Sequence, residues 1–438
     1  MDIDKTTFED LSIFHSEEDA SVFHKLNFTQ TTGGRQWLHN YFLHPFGNLN
    51  QIRETQHIIG LILGNEKSWP QSITNGTIMV IEKFYDTPLD AVPFPAQFFN
   101  AYGYKYFHAA DYGIIKFSVK HFADFCRGMH QLQKLGEKND SPPLLNSLLR
   151  RSAFLLTHPI IQSLIQKNPE AQFSVNEICH YGGHLQRHFK QYALELIEIY
   201  GRFDAWYSMA MSTRHYDLAM PYFREGDRPF LESEKLYHPL VESAVSYDIG
   251  LGPEHSFIFL TGANMAGKST FIKAIGIAVY LAHLGMGVPA KNMELSLFEG
   301  IISNINVVDN IAKGESYFYN EVQRIKNTIL KIDNPDKWLV LIDELFKGTN
   351  VQDAMKCSAT VIRGLIKIKN SLFILSTHLY EIGEELRVFP NIVFRYFETN
   401  VHNDQLEFSY QMKEGISNDR LGYLILKREK VVELLDRL

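Results

Sequence analysis

Thr261-Gly262-Ala263-Asn264-Met265-Ala266-Gly267-Lys268-Ser269-Thr270 follows the apolar run Phe257-Ile258-Phe259-Leu260 and leads into Ser269–His283, a stretch rich in Ile, Ala and Leu. A buried strand, a GxxxxGK[ST] loop and a helix in that order make a phosphate-binding loop. Glycine lets successive backbone N–H groups turn toward phosphate oxygens, and the helix N-terminus adds partial positive charge. Gly262, Ala263, Asn264, Met265, Ala266, Gly267, Lys268, Ser269 and Thr270 are therefore the expected phosphate cradle. Lys268 is expected to reach the β- and γ-phosphates and act in catalysis, and Ser269 to ligate Mg²⁺. The helix is expected to end near Gly285 and Gly287.

Two further apolar runs end in chemistry. Trp338-Leu339-Val340-Leu341-Ile342 runs into Asp343-Glu344, and Ser371-Leu372-Phe373-Ile374-Leu375-Ser376 into Thr377-His378. Carboxylates at the C-terminal edge of a parallel sheet lie where α/β folds bind ligands. Asp343 is expected to support Mg²⁺, through a water or directly, and Glu344 to act as general base or water-positioning residue. His378 is expected beside them, sensing the γ-phosphate or fixing the water.

The alternation of apolar runs with helical patterns predicts a mostly parallel sheet flanked by helices from about residue 236 to 438. Residues 1 to about 235 read as mainly helical, so the fold class is α plus α/β. The handover is expected in the Pro-, Gly- and charge-rich stretch from Pro221 to Pro239.

Composition excludes several classes. The 438 residues are 45% hydrophobic and 21% charged, an ordinary globular make-up. Lys plus Arg is 43 against 50 Asp plus Glu, a formal charge of −7, which excludes a chain that is polybasic as a whole. Cys126, Cys179 and Cys357 show no CxxC spacing and make no disulfide framework. With no basic-then-apolar leader and no run of about 18 apolar residues, a cytoplasmic protein with no membrane segment is expected.

In the helical half, Leu185, Phe189, Tyr192, Leu196, Ile199, Phe203, Trp206 and Ala210 recur at steps of four and three, a heptad seam. One helix over them would run about 39 Å, either as a movement-carrying strut or as an ordinary bundle helix; the two are compatible. Cys179, His180, His184 and His188 would align imidazoles along one face. Gly182-Gly183 suggests that a helix has not begun at His180, and no metal role is assigned.

Beyond the loop itself, the Asn264-Met265-Ala266-Gly267-Lys268-Ser269 core, the run Leu341–Asn350, Ser376-Thr377-His378, Tyr237-His238-Pro239-Leu240-Val241 and Val288-Pro289-Ala290 resemble the ATPase domain of the MutS family, DNA mismatch repair ATPases of the ABC class. Gly314–Glu321 resembles its signature segment, keeping Ser316, Phe318 and Glu321. Leu26–Pro45 with Ile52-Arg53 is similar, more loosely, to the opening of the family's helical core or lever domain. The resemblance implies ATP and Mg²⁺ as ligands and ADP as product. It also implies a homodimer with composite sites, in which Ser316 and Asn350 act across the dimer, and His238 beside the adenine. DNA and a repair protein are the implied partners. The sequence departs from the family in opening on the core segment, so the mismatch-binding and connector domains are expected to be missing. Ala263 stands where Pro is common, and Lys347 where Arg is common. Two functions follow: an ATP-switched dimer that alters its grip on duplex or branched DNA without specific mismatch reading, or an ATP-dependent switch acting on a protein partner without nucleic acid.

Overall fold

The computed structural model describes residues 1–136, 141–306, 317–402, 405–417 and 431–435. In chain order its strands are β1 (Asp2–Ile3), β2 (Tyr222–Phe223), β3 (Leu231–Leu236), β4 (Tyr247–Leu251), β5 (Phe257–Thr261), β6 (Asn292–Leu295), β7 (Gly300–Asn304), β8 (Trp338–Asp343), β9 (Ser371–Ser376), β10 (Ile392–His402) and β11 (Gln405–Glu414). They form a seven-stranded sheet, β1-β7-β8-β9-β5-β10-β11, and a four-stranded sheet, β2-β6-β3-β4. In the larger sheet every pairing is parallel except β10 with β11. Strands β5, β8 and β9 are buried at every residue. Burial on both faces is why each reads as a continuous apolar run rather than an alternation.

Contacts divide the chain into two compact units, one of Met1–Lys25, His44–Ile52 and His215–Leu438, the other of Leu26–Leu43 and Arg53–Arg214. The first holds both sheets; the second has only helices among its described residues. The units thus divide the chain differently from a single cut at 235/236, and the reason lies in two N-terminal segments that belong with the sheet.

The first segment supplies β1, whose Asp2 and Ile3 pair with Gly300 and Ile301. Just beyond it, the buried carboxylate of Asp10 accepts the N–H groups of Ile305 (3.0 Å) and Asn306 (2.9 Å) and the hydroxyl of Ser303. Arg324 donates to Asp4 (2.7 Å), to Asn304 Oδ1 (2.6 Å) and to the carbonyl of Ser303 (2.7 Å). A buried acceptor that satisfies two backbone donors is expensive to remove. Asp10→Ala is expected to lower the unfolding free energy by about 2–4 kcal/mol, read as a shifted urea midpoint at unchanged slope.

The second segment is held by His283, at the end of the central helix Lys268–His283. Its Nε2 lies 3.3 Å from the Phe298 N–H and its Nδ1 2.9 Å from the Phe46 carbonyl. The amide can only donate, so Nε2 accepts and Nδ1 carries the proton. The carbonyl of His283 in turn accepts from Phe46 N–H, and the N-terminal amine donates to Pro45. Burial holds the imidazole neutral, with its pKa pulled from 6.5 to about 4. The unfolded chain binds this proton more readily, so the stabilisation is complete above about pH 6.5 and is lost as pH falls toward 4. Denaturant titrations at pH 7 and pH 4.5 are expected to show that loss, and His283→Gln, which can keep both hydrogen bonds, to reduce it.

In the helical unit the heptad seam is carried by two helices, Val175–His188 and Lys190–His215, not one. The backbone leaves the helix at Phe189 (φ −110°, ψ −4°), whose side chain is fully buried. Each half buries against its own partners. Phe94 packs at a tilt against His180, His184 and His188, while Asp204 of the second helix accepts the N–H groups of Gln30 and Thr31. Tyr192 falls outside the buried seam. The second helix alone has 26 residues, about 39 Å. Gly182 and Gly183 lie inside the first helix, contrary to their reading as a late helix start. A Cβ on Gly182 would sit 2.3 Å from Ile115 and one on Gly183 2.8 Å from the Pro93 carbonyl, so these glycines permit close packing. All three cysteines are free, and no described helix is long and apolar enough to cross a membrane.

Candidate active site

Strand register assembles the site. Asp343 at the end of β8 and Leu260 near the end of β5 both pair with Ser376 at the end of β9. The alignment continues past the strands, where Glu344 N–H donates to the Ser376 carbonyl (3.0 Å) and Thr377 N–H to that of Leu260 (2.9 Å). Three chain segments far apart in sequence therefore end level, and Gly262, Glu344 and His378 emerge on one edge of the sheet.

The loop after β5 turns through Gly262 (φ +136°), Met265 (φ +70°) and Gly267 (φ +106°). At the first and last, an L side chain would be strained, and a Cβ on Gly262 would lie 3.1 Å from the Phe397 carbonyl. Gly267 is the N-cap of the helix Lys268–His283 and has no side chain to occupy the first-turn N–H groups. Ala266 is buried beneath the loop, its N–H bonded to the Ala263 carbonyl at 3.3 Å, whereas Met265 is exposed. The Lys268 ammonium lies along the loop, donating to the carbonyls of Gly262 (2.7 Å) and Ala263 (2.9 Å). Burial lowers its pKa, against the opposing charges of Glu344 and Asp343.

Asp343 is buried and accepts from two hydroxyls, Ser269 on one carboxylate oxygen and Ser376 on the other. Ser269 and Asp343 thus present adjacent hard oxygen donors, the ligand chemistry Mg²⁺ takes. Glu344, next in sequence, has φ +64° and lines the same cavity as Asp343. Its carboxylate lies 3.7 Å from His378 Nδ1 and 3.6 Å from Lys347 Nζ. His378 foremost, then Lys347 and Lys268, hold its pKa down at about 2 despite burial. It is ionised throughout the neutral range.

Most of these groups border a cavity of about 730 Å³, whose lining does not include His378, Gly262 or Ala266. Ala263, Asn264, Met265, Gly267, Lys268, Ser269, Thr270, Asp343 and Glu344 line it, and so does His238. His238 is kept neutral by burial and by Lys273 and Lys25, with its pKa near 4, and its Nδ1 accepts from Leu240 N–H (3.3 Å). Tyr237, grouped with it in sequence, is not among the lining residues, because its hydroxyl bonds the Tyr216 carbonyl instead (3.3 Å). Asn350 caps the helix Val351–Leu365, accepting from Asp353 N–H (3.0 Å). Ser316 lies outside the described residues.

Sequence reasoning missed Tyr247, Tyr410 and Lys347 as site residues. Tyr247 packs edge-on against Phe271 and Phe397 and donates to the Tyr410 carbonyl (3.1 Å), closing the cavity's apolar side. No spacing rule marks it, since β4 and β11 come to the loop only through the tertiary fold. Lys347 was legible as a cation three residues after Glu344.

Residues 258–433 match the family model of MutS domain V. Three curated relatives carry the name DNA mismatch repair protein MutS. That of Thermotoga maritima is 31% identical over 242 residues, 54% of this chain and 30% of the relative. That of Petrotoga mobilis is 27% identical over 57% of this chain and 31% of its own length. The Staphylococcus haemolyticus protein is 25% identical over 56% and 28%. Each match spans less than a third of the relative.

Proposed function

This chain belongs to the MutS family, and from that premise we propose that it is an ATP hydrolase whose dimeric, composite sites drive movement of the helical unit and so alter a grip on DNA. The observation that carries this reading is the convergence of Lys268, Ser269, Asp343 and Glu344 on one cavity edge, with His378 against Glu344. Lys268, released from the Gly262 and Ala263 carbonyls, would hold the β- and γ-phosphates beside the first-turn N–H groups. Ser269 and Asp343 would hold Mg²⁺, which neutralises phosphate charge when bound. Glu344, its carboxylate held ionised by His378, Lys347 and Lys268, would orient the attacking water or take its proton as general base. His378, 3.7 Å from Glu344, would couple it to the γ-phosphate. By analogy with the family, Ser316 and Asn350 would act on the partner's nucleotide across a homodimer, and His238 would lie on the adenine side.

With a formal charge of −7 on the chain as a whole, any DNA binding would be directed at phosphates and weakened by salt. The test is ATP turnover with and without homoduplex, mismatched and four-way-junction DNA in one salt. Stimulation by any of them supports the reading, and affinity for all three at or below non-specific levels in low salt ends it. One observation favours the second reading, an ATP-dependent switch on a protein partner. Phe98, Phe99, Tyr106 and Phe107 on one short helix, Phe98–Phe107, are each more than 60% exposed. Exposed aromatic surface of this kind marks interaction sites. A stoichiometric protein partner that stimulates turnover where DNA does not would establish it.

A further inference from the structure

The loop that follows β8 is strained twice. Glu344 has φ +64° and Phe346 φ +61°, on either side of a buried Leu345. Non-glycine residues in this region cost about 1–3 kcal/mol each and persist only where surrounding structure over-determines them. The residues that do so come from the helix Tyr317–Ile332 of the same chain. Phe318 packs its ring on Phe346 with centroids 5.6 Å apart. One turn further, on the same helix face, the buried Glu321 turns its carboxylate onto the loop backbone. One oxygen accepts Lys347 N–H at 3.2 Å and the other Gly348 N–H at 3.4 Å, and Phe346 N–H is also within its reach. Consecutive amides around a left-handed residue make a nest for an anion, and here the anion is a side chain of the protein itself. From this tethered loop the Lys347 ammonium reaches back to Glu344.

We infer that Glu321 is a positioning residue for ATP hydrolysis: seated on the Lys347 and Gly348 amides, its carboxylate holds the strained loop from which Glu344 faces the cavity. The inference rests on the hydrolase reading above. It gives Glu321 a role within its own subunit, toward its own Glu344. The same contact links the helix Tyr317–Ile332 mechanically to the hydrolytic carboxylate.

The test compares Glu321→Ala and Glu321→Gln with the parent, measuring single-turnover ATP hydrolysis, the Kd of a fluorescent ATP analogue, and hydrogen exchange of the 346–348 amides. Displacements of an ångström at a reacting centre lower rates by about 100-fold. Glu321→Ala is therefore expected to lose about 10–100-fold in kcat with Kd changed less than about threefold. The amide oxygen of Glu321→Gln can still accept from the loop, so at least about a third of parental turnover should return. Exchange at both Lys347 and Gly348 should rise in the alanine variant, whereas the glutamine variant, with a single acceptor oxygen, should keep one of the two near parental. Parental kcat in Glu321→Ala would overturn the inference, as would parallel loss of affinity and turnover in both variants. Should the parent itself not hydrolyse ATP, the hydrolase reading fails on that result. Exchange then decides the tether alone: release of the two amides in Glu321→Ala supports it, and unchanged protection refutes it.

Discussion

Glu344→Gln is expected to bind ATP as tightly as the parent while hydrolysing it about 100–1,000-fold more slowly, the range removed with a positioned catalytic carboxylate. The substitution keeps the side chain's volume, its reach toward His378 and its place beside Lys347. It removes the negative charge that His378, Lys347 and Lys268 favour. Without that charge a water near the γ-phosphate has no strong acceptor to align it, whereas the phosphate contacts of the loop are untouched. Binding and turnover should therefore separate cleanly in equilibrium titration and single-turnover assays. If sites are composite, ATP should also hold this variant as a long-lived dimer in sedimentation. Hydrolysis at the parental rate would remove Glu344 from its assigned role.

Lys268→Ala is expected to abolish nucleotide binding in the micromolar range. Charge-assisted hydrogen bonds are worth about 1.5–3 kcal/mol each, so losing two phosphate contacts lowers affinity by roughly 100-fold or more. The buried ammonium is also the donor for the Gly262 and Ala263 carbonyls. Its removal leaves the loop without that brace, and the thermal midpoint should fall modestly. More telling is the ligand response: ATP with Mg²⁺ should raise the parent's midpoint and leave the variant's unmoved. Lys268→Arg separates charge from fit, because a planar guanidinium cannot reproduce the compact ammonium between those carbonyls. Retention of parental affinity by Lys268→Ala would mean that the loop's backbone alone holds the phosphates.

How much of this was legible in sequence depends on the distance over which each signal acts. The loop, its strand and its helix are contiguous, and the helix ends at His283 just before Gly285, as the pattern implied. Strands β8 and β9 were legible because burial on both faces leaves an unbroken apolar run. Their mutual alignment was not, although it is what brings Asp343 to Ser376. The break at Phe189 leaves no sequence mark, since neither Gly nor Pro stands near it and the seam continues in step across it. Strand β1 is two residues long, too short for any periodicity to register. Buried acceptors such as Asp10, Asp204 and Glu321 look like surface acids until the amides they satisfy are known.

The pairing of β1 with β7 also has a consequence in time. About 300 residues separate Asp2 from its partner Gly300, and the whole helical unit lies between them in the chain. At about 5–20 residues per second, a ribosome needs roughly 15–60 s to add that stretch. Helical contacts form in microseconds to milliseconds, so the inserted unit can close on itself while the first strand still waits for an edge to join. The sheet, and with it the phosphate loop's level neighbours, can assemble only after β8 and β9 have been made. Protein synthesis thus orders the two units: the helical one can be complete during translation, and the sheet edge that β1 joins is available only afterwards.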